Sequence, residues 1–169
     1  TETSCLTTMG RYDERPGSAG RPIPMGRVEL MDDTDLPVPT GQVGEITLKG
    51  PMVFKGYWKL DADNSHTFRN GRHHTGDLGR KDEDGYVYLT DRKHFMIISG
   101  GVNIYPQEAE NVLINHDKVI DVAVFGVPNE EFGEEVKAVV QLKDLSGAST
   151  MLEVELLDYC REHLSHIKC

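Results

Sequence analysis

Several short stretches bring together side chains that could do chemistry. Thr75-Gly76-Asp77 sets a short carboxylate in a turn beside Arg72, His73 and His74. A carboxylate near positive charge can accept two hydrogen bonds from a vicinal diol such as ribose. The alternative, and the commoner use of such a tripeptide, is that Asp77 only stabilises its own turn. Arg92 follows a strand-like run and precedes a break in composition, which puts a guanidinium in a cleft between domains; an ordinary surface ion pair is the alternative. Ser99-Gly100-Gly101 can let a ligand approach backbone N–H groups, although a glycine hairpin turn is the commoner use. Glu2 offers oxygen to a hard cation, as a single ligand near the start of the chain. His73 and His74 are adjacent, so in a strand they point to opposite faces and make a poor metal pair. They read as solvated or packing histidines, and Tyr57, Trp58, Tyr86 and Tyr88 as core or sheet packing.

The elements that must position these groups divide at residues 91–110, DRKHFMIISGGVNIYPQEAE, where a basic pair, a glycine turn and a helix start follow one another. Residues 1–20 are rich in Thr, Ser, Gly and Pro and read as loop. RVELM (27–31) and EITLK (45–49) alternate apolar and polar residues as half-buried strands do, with PVPTGQVG as turn material, giving a hairpin or meander. Gly56-Tyr57-Trp58 closes a bend, and Asp84-Gly85 before YVYLT signals a tight turn into another strand.

Beyond the joint, FMII and VNIY flank Gly100-Gly101, which can supply the positive φ of a two-residue hairpin. Pro106 suits the first position of a helix that runs to about His116, with Glu108 and Glu110 near its positive end and Ala109, Val112 and Leu113 on one face. VIDVAVFGV and EVKAVVQLK read as two strands of one sheet. Thr150 with Glu153 forms a capping box for a helix whose Leu152, Leu156, Leu157, Cys160 and Leu164 face that sheet. The fold class is α+β. A small β-barrel-like subdomain (1–91) is followed by a hinge (92–95) and an α+β domain (96–169).

Composition narrows the classes of function. A chain of 169 residues with 38% hydrophobic content is globular, long enough for one sizeable core or two small ones. Its net charge of -10 argues against non-specific binding to nucleic acid or anionic membrane, so an anionic ligand must meet a local basic site. Cys5, Cys160 and Cys169 are odd in number, widely spaced and without a CxxC pair, which fits reduced thiols and a cytoplasmic location. No apolar run approaches the roughly 20 residues that span a bilayer, and no signal-like segment is present.

The order of these signals resembles the adenylate-forming (AMP-binding) enzymes, the superfamily of acyl-CoA synthetases, firefly luciferases and peptide-synthetase adenylation domains. The matching blocks are TE at Thr1-Glu2, GEITLKGPMVFKGYW (44–58), TGD (75–77), DRK with MIISGGVNIYPQEAE (91–110) and FGEEVKAVV (132–140). SGGVNIYPQE is most similar to the fatty-acyl-CoA synthetases of bacterial type; peptide-synthetase domains carry K-x-R-G-x-R there. The resemblance implies a ligase that uses ATP, Mg²⁺ and coenzyme A on a carboxylic acid, a fatty acid first, with an aryl-CoA ligase, a carrier-protein-loading enzyme or a non-catalytic nucleotide-binding module as alternatives. Homo-oligomerisation is left open.

By the same resemblance Asp77 holds the ribose hydroxyls of ATP or AMP, Arg92 assists there, and Glu2 with Thr1 positions Mg²⁺ and the phosphates. Gly100, Gly101 and Val102 lie along the pantetheine path, Asn103 contacts or supports the nucleotide phosphate, and His94 is the hinge. The family's phosphate loop is expected ahead of Thr1 and its adenylation lysine beyond Cys169, so a truncated domain and an inactive isolated chain are expected. His94 and Phe95 depart from the Asp or Lys, and the acidic residue after it, usual in the family.

Overall fold

Strand alternation and turn chemistry build the first half of the chain almost entirely from β structure. The computed structural model describes every residue except Thr1, Ser4, Cys5 and Tyr12. The phosphate-positioning role expected of Thr1 and the thiol of Cys5 therefore lie outside the described residues. Two compact units, Thr1–Lys93 and His94–Cys169, make up the chain.

The first unit contains β1 (Thr8–Met9), β2 (Arg21–Pro22), β3 (Arg27–Met31), β4 (Val43–Lys49), α1 (Asp61–Thr67), β5 (Phe68–Arg69), β6 (Arg72–Lys81) and β7 (Val87–Arg92). β1 and β2 pair antiparallel, so the stretch expected as loop contributes one short strand. The main sheet runs β3-β4-β6-β5, and β7 also pairs β6. His73 has both Leu48 and Phe68 as register partners, and Leu78 has both Glu45 and Asp91. β6 thus lies along β4 on one edge and meets β5 and then β7 on the other. Val28, Leu30, Ile46, Leu48 and Val87 form the buried core on one face. The other face of β4 is also covered: Glu45 is 5% and Thr47 0% exposed, so this strand is buried on both sides, not half-buried as its alternation suggests.

Two register breaks bend this sheet. Glu45 pairs with Leu78 and Thr47 with His74, so Ile46 alone stands opposite Thr75, Gly76 and Asp77. Leu78 pairs with Asp91 and Gly79 with Leu89, leaving Thr90 as an extra residue of β7. Bulges of this kind increase local twist and re-aim side chains. The first one carries the Thr75-Gly76-Asp77 motif, and Gly76 at φ 74° takes the left-handed conformation that the turn requires.

The second unit contains β8 (Ile97–Ser99), β9 (Val102–Ile104), α2 (Pro106–Leu113), β10 (Val119–Asn129), β11 (Gly133–Leu142) and α3 (Thr150–His163). Its sheet has the order β10-β11-β8-β9, antiparallel at every pairing. Gly100 and Gly101, at φ 56° and 81°, close the β8–β9 hairpin, and Ser99 pairs with Val102 across it. Ile97, Ile104, Val119 and Val124 from the sheet meet Ala109 and Leu113 of α2 and Leu152, Leu156 and Cys160 of α3. Cys169 packs against the same core. Leu157 is 38% exposed and lies off the face expected for it.

Both helices differ from expectation at one end. α2 starts at Pro106 but stops at Leu113. Beyond it the Asn115 and His116 N–H groups bond back to Val112 and Leu113, three residues earlier, and the Asn115 amide occupies the Asn111 carbonyl at 2.6 Å. The last turn tightens and the helix ends. α3 is capped by Ser149 and not by Thr150. Ser149 has the extended backbone of a cap, φ -161° and ψ 159°, and its hydroxyl accepts the Leu152 N–H at 3.2 Å. Glu153 is then one position too late for the expected capping box.

Replacing Ser149 by Ala is expected to destabilise the protein by about 1 kcal/mol in urea titrations, whereas Thr150→Ala should fall within about 0.5 kcal/mol of wild type. Equal losses at the two positions would return the cap to Thr150.

Candidate functional site

The bulge in β6 has its own fastenings. The Thr75 hydroxyl donates to the Ile46 carbonyl at 2.8 Å and accepts the Asp77 N–H at 3.1 Å. The Gly76 N–H donates to Glu45 Oε1 at 3.3 Å. The bonds recorded for this turn therefore go to Thr75 and Glu45, and the Asp77 carboxylate has another partner: its Oδ1 lies 3.3 Å from Arg92 Nε. Asp77 and Arg92 are direct register partners on β6 and β7, which sets their side chains side by side. The pair is accessible, with side chains 38% and 63% exposed. An ion pair so exposed adds about 0–1 kcal/mol to stability. The pair therefore adds little to the fold, and both partners keep a face toward solvent.

The sequence neighbours expected to surround Asp77 with positive charge point elsewhere. Arg72 pairs with Glu29. His73 lies on the core face among Phe54 and Phe68, with ring centroids 5.9 and 5.2 Å away. It borders a cavity of about 310 Å³ lined by Leu48, Val53, Phe54, Phe68 and Arg72. His74, on the opposite face, places Nδ1 3.2 Å from Glu45 Oε2 and Nε2 3.6 Å from Asp35 Oδ1, in both cases without hydrogen-bond alignment. Both histidines are 5% exposed. The two faces are as expected of neighbours in a strand, but neither ring is solvated. Burial pushes the His73 imidazole below its ordinary value.

Glu45 is the residue that sequence reasoning missed. Its carboxylate also receives Lys93 Nζ at 3.1 Å and Arg69 Nη2 at 3.3 Å. Burial works against ionisation of Glu45, yet the Lys93 ammonium and the His74 imidazole outweigh it, and the carboxyl titrates below its usual range. Lys93 shows the converse: burial disfavours its charge, but Asp33 at 2.8 Å and Glu45 raise its pKa. In the sequence Glu45 is one of the polar residues of an alternating strand, and its partners lie 24, 31 and 48 positions away.

Of the other expected site residues, Glu2 accepts the Tyr57 hydroxyl at 3.2 Å through Oε1, and its carbonyl accepts the Phe54 N–H at 2.9 Å. His94 is exposed in a single 3₁₀ turn (Lys93–Phe95) and rests against the Phe95 ring, with centroids 4.0 Å apart. Gly100, Gly101, Val102 and Asn103 are all exposed on the β8–β9 hairpin of the second unit. The structure thus brings Asp77 and Arg92 together directly.

The fold, a curled antiparallel sheet and then a four-stranded α+β unit, matches acyl-CoA synthetase structures. The o-succinylbenzoate CoA synthetase of Bacillus subtilis, solved with its acyl-adenylate intermediate, has a TM-score of 0.88 and 36% identity, covering 99% of this chain and 34% of that one. Two family profiles fit: the AMP-binding enzyme over residues 1–58 and the AMP-binding enzyme C-terminal domain over residues 108–169. The chain belongs to the AMP-binding enzyme family. It is 47% identical over 135 residues to a medium/long-chain-fatty-acid–CoA ligase of Mycobacterium tuberculosis, covering 79% of this chain. A long-chain-fatty-acid–CoA ligase of Escherichia coli is 41% identical over 170 residues, 99% of the chain. A 2-succinylbenzoate–CoA ligase of Oceanobacillus iheyensis is 45% identical over 136 residues, again 79% of the chain. The chain spans 24%, 30% and 28% of the lengths of these three relatives.

The depressed pKa values make stability depend on pH in two windows. His73 folds neutral, so below its ordinary 6.5 the unfolded chain takes up a proton that the folded chain refuses, and stability falls with acidification. Glu45 contributes stability above its ordinary 4.5 that is lost as pH falls through its lowered folded value. Urea midpoints taken from about pH 8 to 4 should therefore fall more steeply for wild type than for His73→Phe between about pH 7 and 5.5. Parallel curves in that range would exclude a protonation penalty at His73.

Proposed function

We propose that the intact protein is an ATP-dependent acyl-CoA synthetase acting on fatty acids. In the first step the carboxylate attacks ATP, forming an acyl-adenylate and releasing pyrophosphate; in the second the thiol of coenzyme A takes the acyl group and AMP leaves. The observation that carries this reading is the Asp77–Arg92 pair. A carboxylate set beside a guanidinium at 3.3 Å, on a turn whose recorded bonds go to other groups, is a preformed acceptor for the two ribose hydroxyls. Catalysis in such a site depends on holding the reacting groups in line and neutralising developing charge, without a protein nucleophile.

Glu2 fits a magnesium ion as one oxygen ligand. Among the described residues no group of three or more His, Cys, Asp or Glu side chains could hold a metal, so Mg²⁺ would rest on Glu2, the ATP phosphates and water, as this ion commonly does. Bound there, it would neutralise phosphate charge. Gly100, Gly101 and Val102 would line the pantetheine path, Asn103 would meet or support the phosphate, and His94 would be the pivot between the two half-reactions. Fatty-acid specificity is supported by the SGGVNIYPQE segment and by identities of 47% and 41% to fatty-acid–CoA ligases. The 45% identity to a 2-succinylbenzoate–CoA ligase supports an aromatic acid as the second reading. Among the described residues no helix is long and apolar enough to cross a membrane.

Pyrophosphate release by the intact protein, measured over carboxylic acids of graded chain length and over aryl acids, separates these readings; turnover of aryl acids alone would overturn the fatty-acid assignment. Asp77→Ala should weaken ATP binding by about 1.5–3 kcal/mol for each charge-assisted hydrogen bond lost. Wild-type affinity in that variant would remove the ribose role.

A hinge works by changing φ and ψ at few residues, and proline fixes φ near roughly -65°. His94→Pro should therefore separate pyrophosphate release from coenzyme A-dependent consumption of preformed acyl-adenylate. Equal losses in both steps, in a folded variant, would move the pivot elsewhere.

A further inference from the structure

We propose that Glu45 is a positioning residue whose single carboxylate fastens both the turn presenting Asp77 and Lys93, the last residue of the first unit. The nucleotide-facing pair then keeps its geometry while the chain turns from His94 onward. The proposal rests on the ribose reading of Asp77 and Arg92 and on His94 as pivot.

Chain adjacency carries the inference. Glu45 Oε1 takes the N–H of Gly76, the residue before Asp77, and Oε2 takes the ammonium of Lys93, the residue after Arg92. The two groups that Glu45 grips are thus immediate neighbours of the two that would meet the ribose. The grip is itself braced. Arg69 Nη2 lies 3.3 Å from Oε2, and Arg69 Nε lies 3.1 Å from Asp35, which also faces His74. Asp33 holds the other side of Lys93 at 2.8 Å.

Stability alone is a weak reason for this arrangement. A buried ion pair is often matched or exceeded in stabilisation by apolar side chains of similar volume. Lys93, with its side chain 32% exposed, could also have been left in solvent. What the charges add is direction: an ammonium drawn to one oxygen and an amide to the other fix where β6 and β7 deliver their functional ends. His94, one residue further on, is exposed and held by no bond of this network. The restraint stops where the proposed rotation begins.

The test uses the intact protein and two variants that break the same contact from opposite sides. Glu45→Gln keeps an oxygen for Gly76 but removes the charge that draws Lys93, and Lys93→Met removes the ammonium at a partly exposed site. Each should raise the dissociation constant for AMP, by calorimetry, and the KM for ATP roughly tenfold, while the KM for the carboxylic acid stays at its wild-type value. The double variant should lose little beyond either single one, because both remove one interaction.

Asp77→Ala is the control. Weakened AMP binding in Asp77→Ala alone overturns the positioning role and leaves the ribose reading standing. Wild-type binding in Asp77→Ala overturns the ribose reading and the proposal with it. Equal rises in both KM values would reduce Glu45 to general support of the fold and also overturn it. Should Glu45→Gln fail to fold, Lys93→Met decides by the same criteria.

Discussion

Removing a carboxylate from water and enclosing it in a sheet is unfavourable by several kcal/mol unless charge and hydrogen bonds return what hydration supplied. Glu45 meets that condition by collecting donors from separate places: Gly76 from the β6 bulge, Arg69 from β5, Lys93 from the end of β7, with His74 alongside. Because the donors come from three strands, satisfying one buried charge also settles where those strands end relative to one another. The bulge, the approach of Asp77 to Arg92 and the exit of the chain toward His94 all depend on this compensation. The apolar face of the same sheet, with Val28, Leu30, Ile46, Leu48 and Val87, provides cohesion but no comparable direction.

The second unit is built on a different balance. Its sheet and two helices are joined through apolar contacts, and fully burying side chains such as Leu113 or Leu152 contributes about 1.5–3 kcal/mol each. Its polar contacts lie around that core: Glu110 accepts the Val124 N–H at 2.9 Å, Glu134 accepts the Ile98 N–H at 2.8 Å, Lys118 meets Glu155 at 2.7 Å, and Ser149 caps α3. A unit held by non-directional burial, carrying exposed Gly100, Gly101 and Asn103 on a tight hairpin, presents backbone groups on a firm base.

Legibility in the sequence followed the kind of force involved. Where periodicity or turn chemistry decides, the reading worked: β3, the β8–β9 hairpin at Gly100-Gly101, the start of α2 at Pro106 and the β10–β11 pair all stand where their residues indicated. Motif order singled out Asp77 and Arg92, and the sheet sets them side by side. Where long-range electrostatics decides, the reading failed. Alternation assigns Glu45 to a solvent face, and nothing local shows that Arg69 and Lys93 converge on it. α1 escaped because it buries no residue; Asn64 anchors it by exchanging two hydrogen bonds with the Tyr57 backbone, a polar device without period. The choice of Ser149 over Thr150 as cap hung on one residue's backbone angles.

The bulge in β6 preserves the strand's alternation of faces. From Glu45 to Thr47 the partner strand advances two positions while β6 advances four, from Leu78 back to His74, so the surplus is two residues. Side chains alternate faces along a strand, and an even surplus leaves that alternation intact: His74 faces Glu45 before the turn, and Leu78 pairs with it after. The surplus on the other side of β6 is odd and is absorbed differently: Thr90 is a single extra residue of β7, taken up where Leu78 pairs with Asp91 and Gly79 with Leu89. The two-residue surplus at Thr75-Gly76-Asp77 gives Gly76 room for its left-handed backbone while Leu78 keeps the face it shares with Glu45.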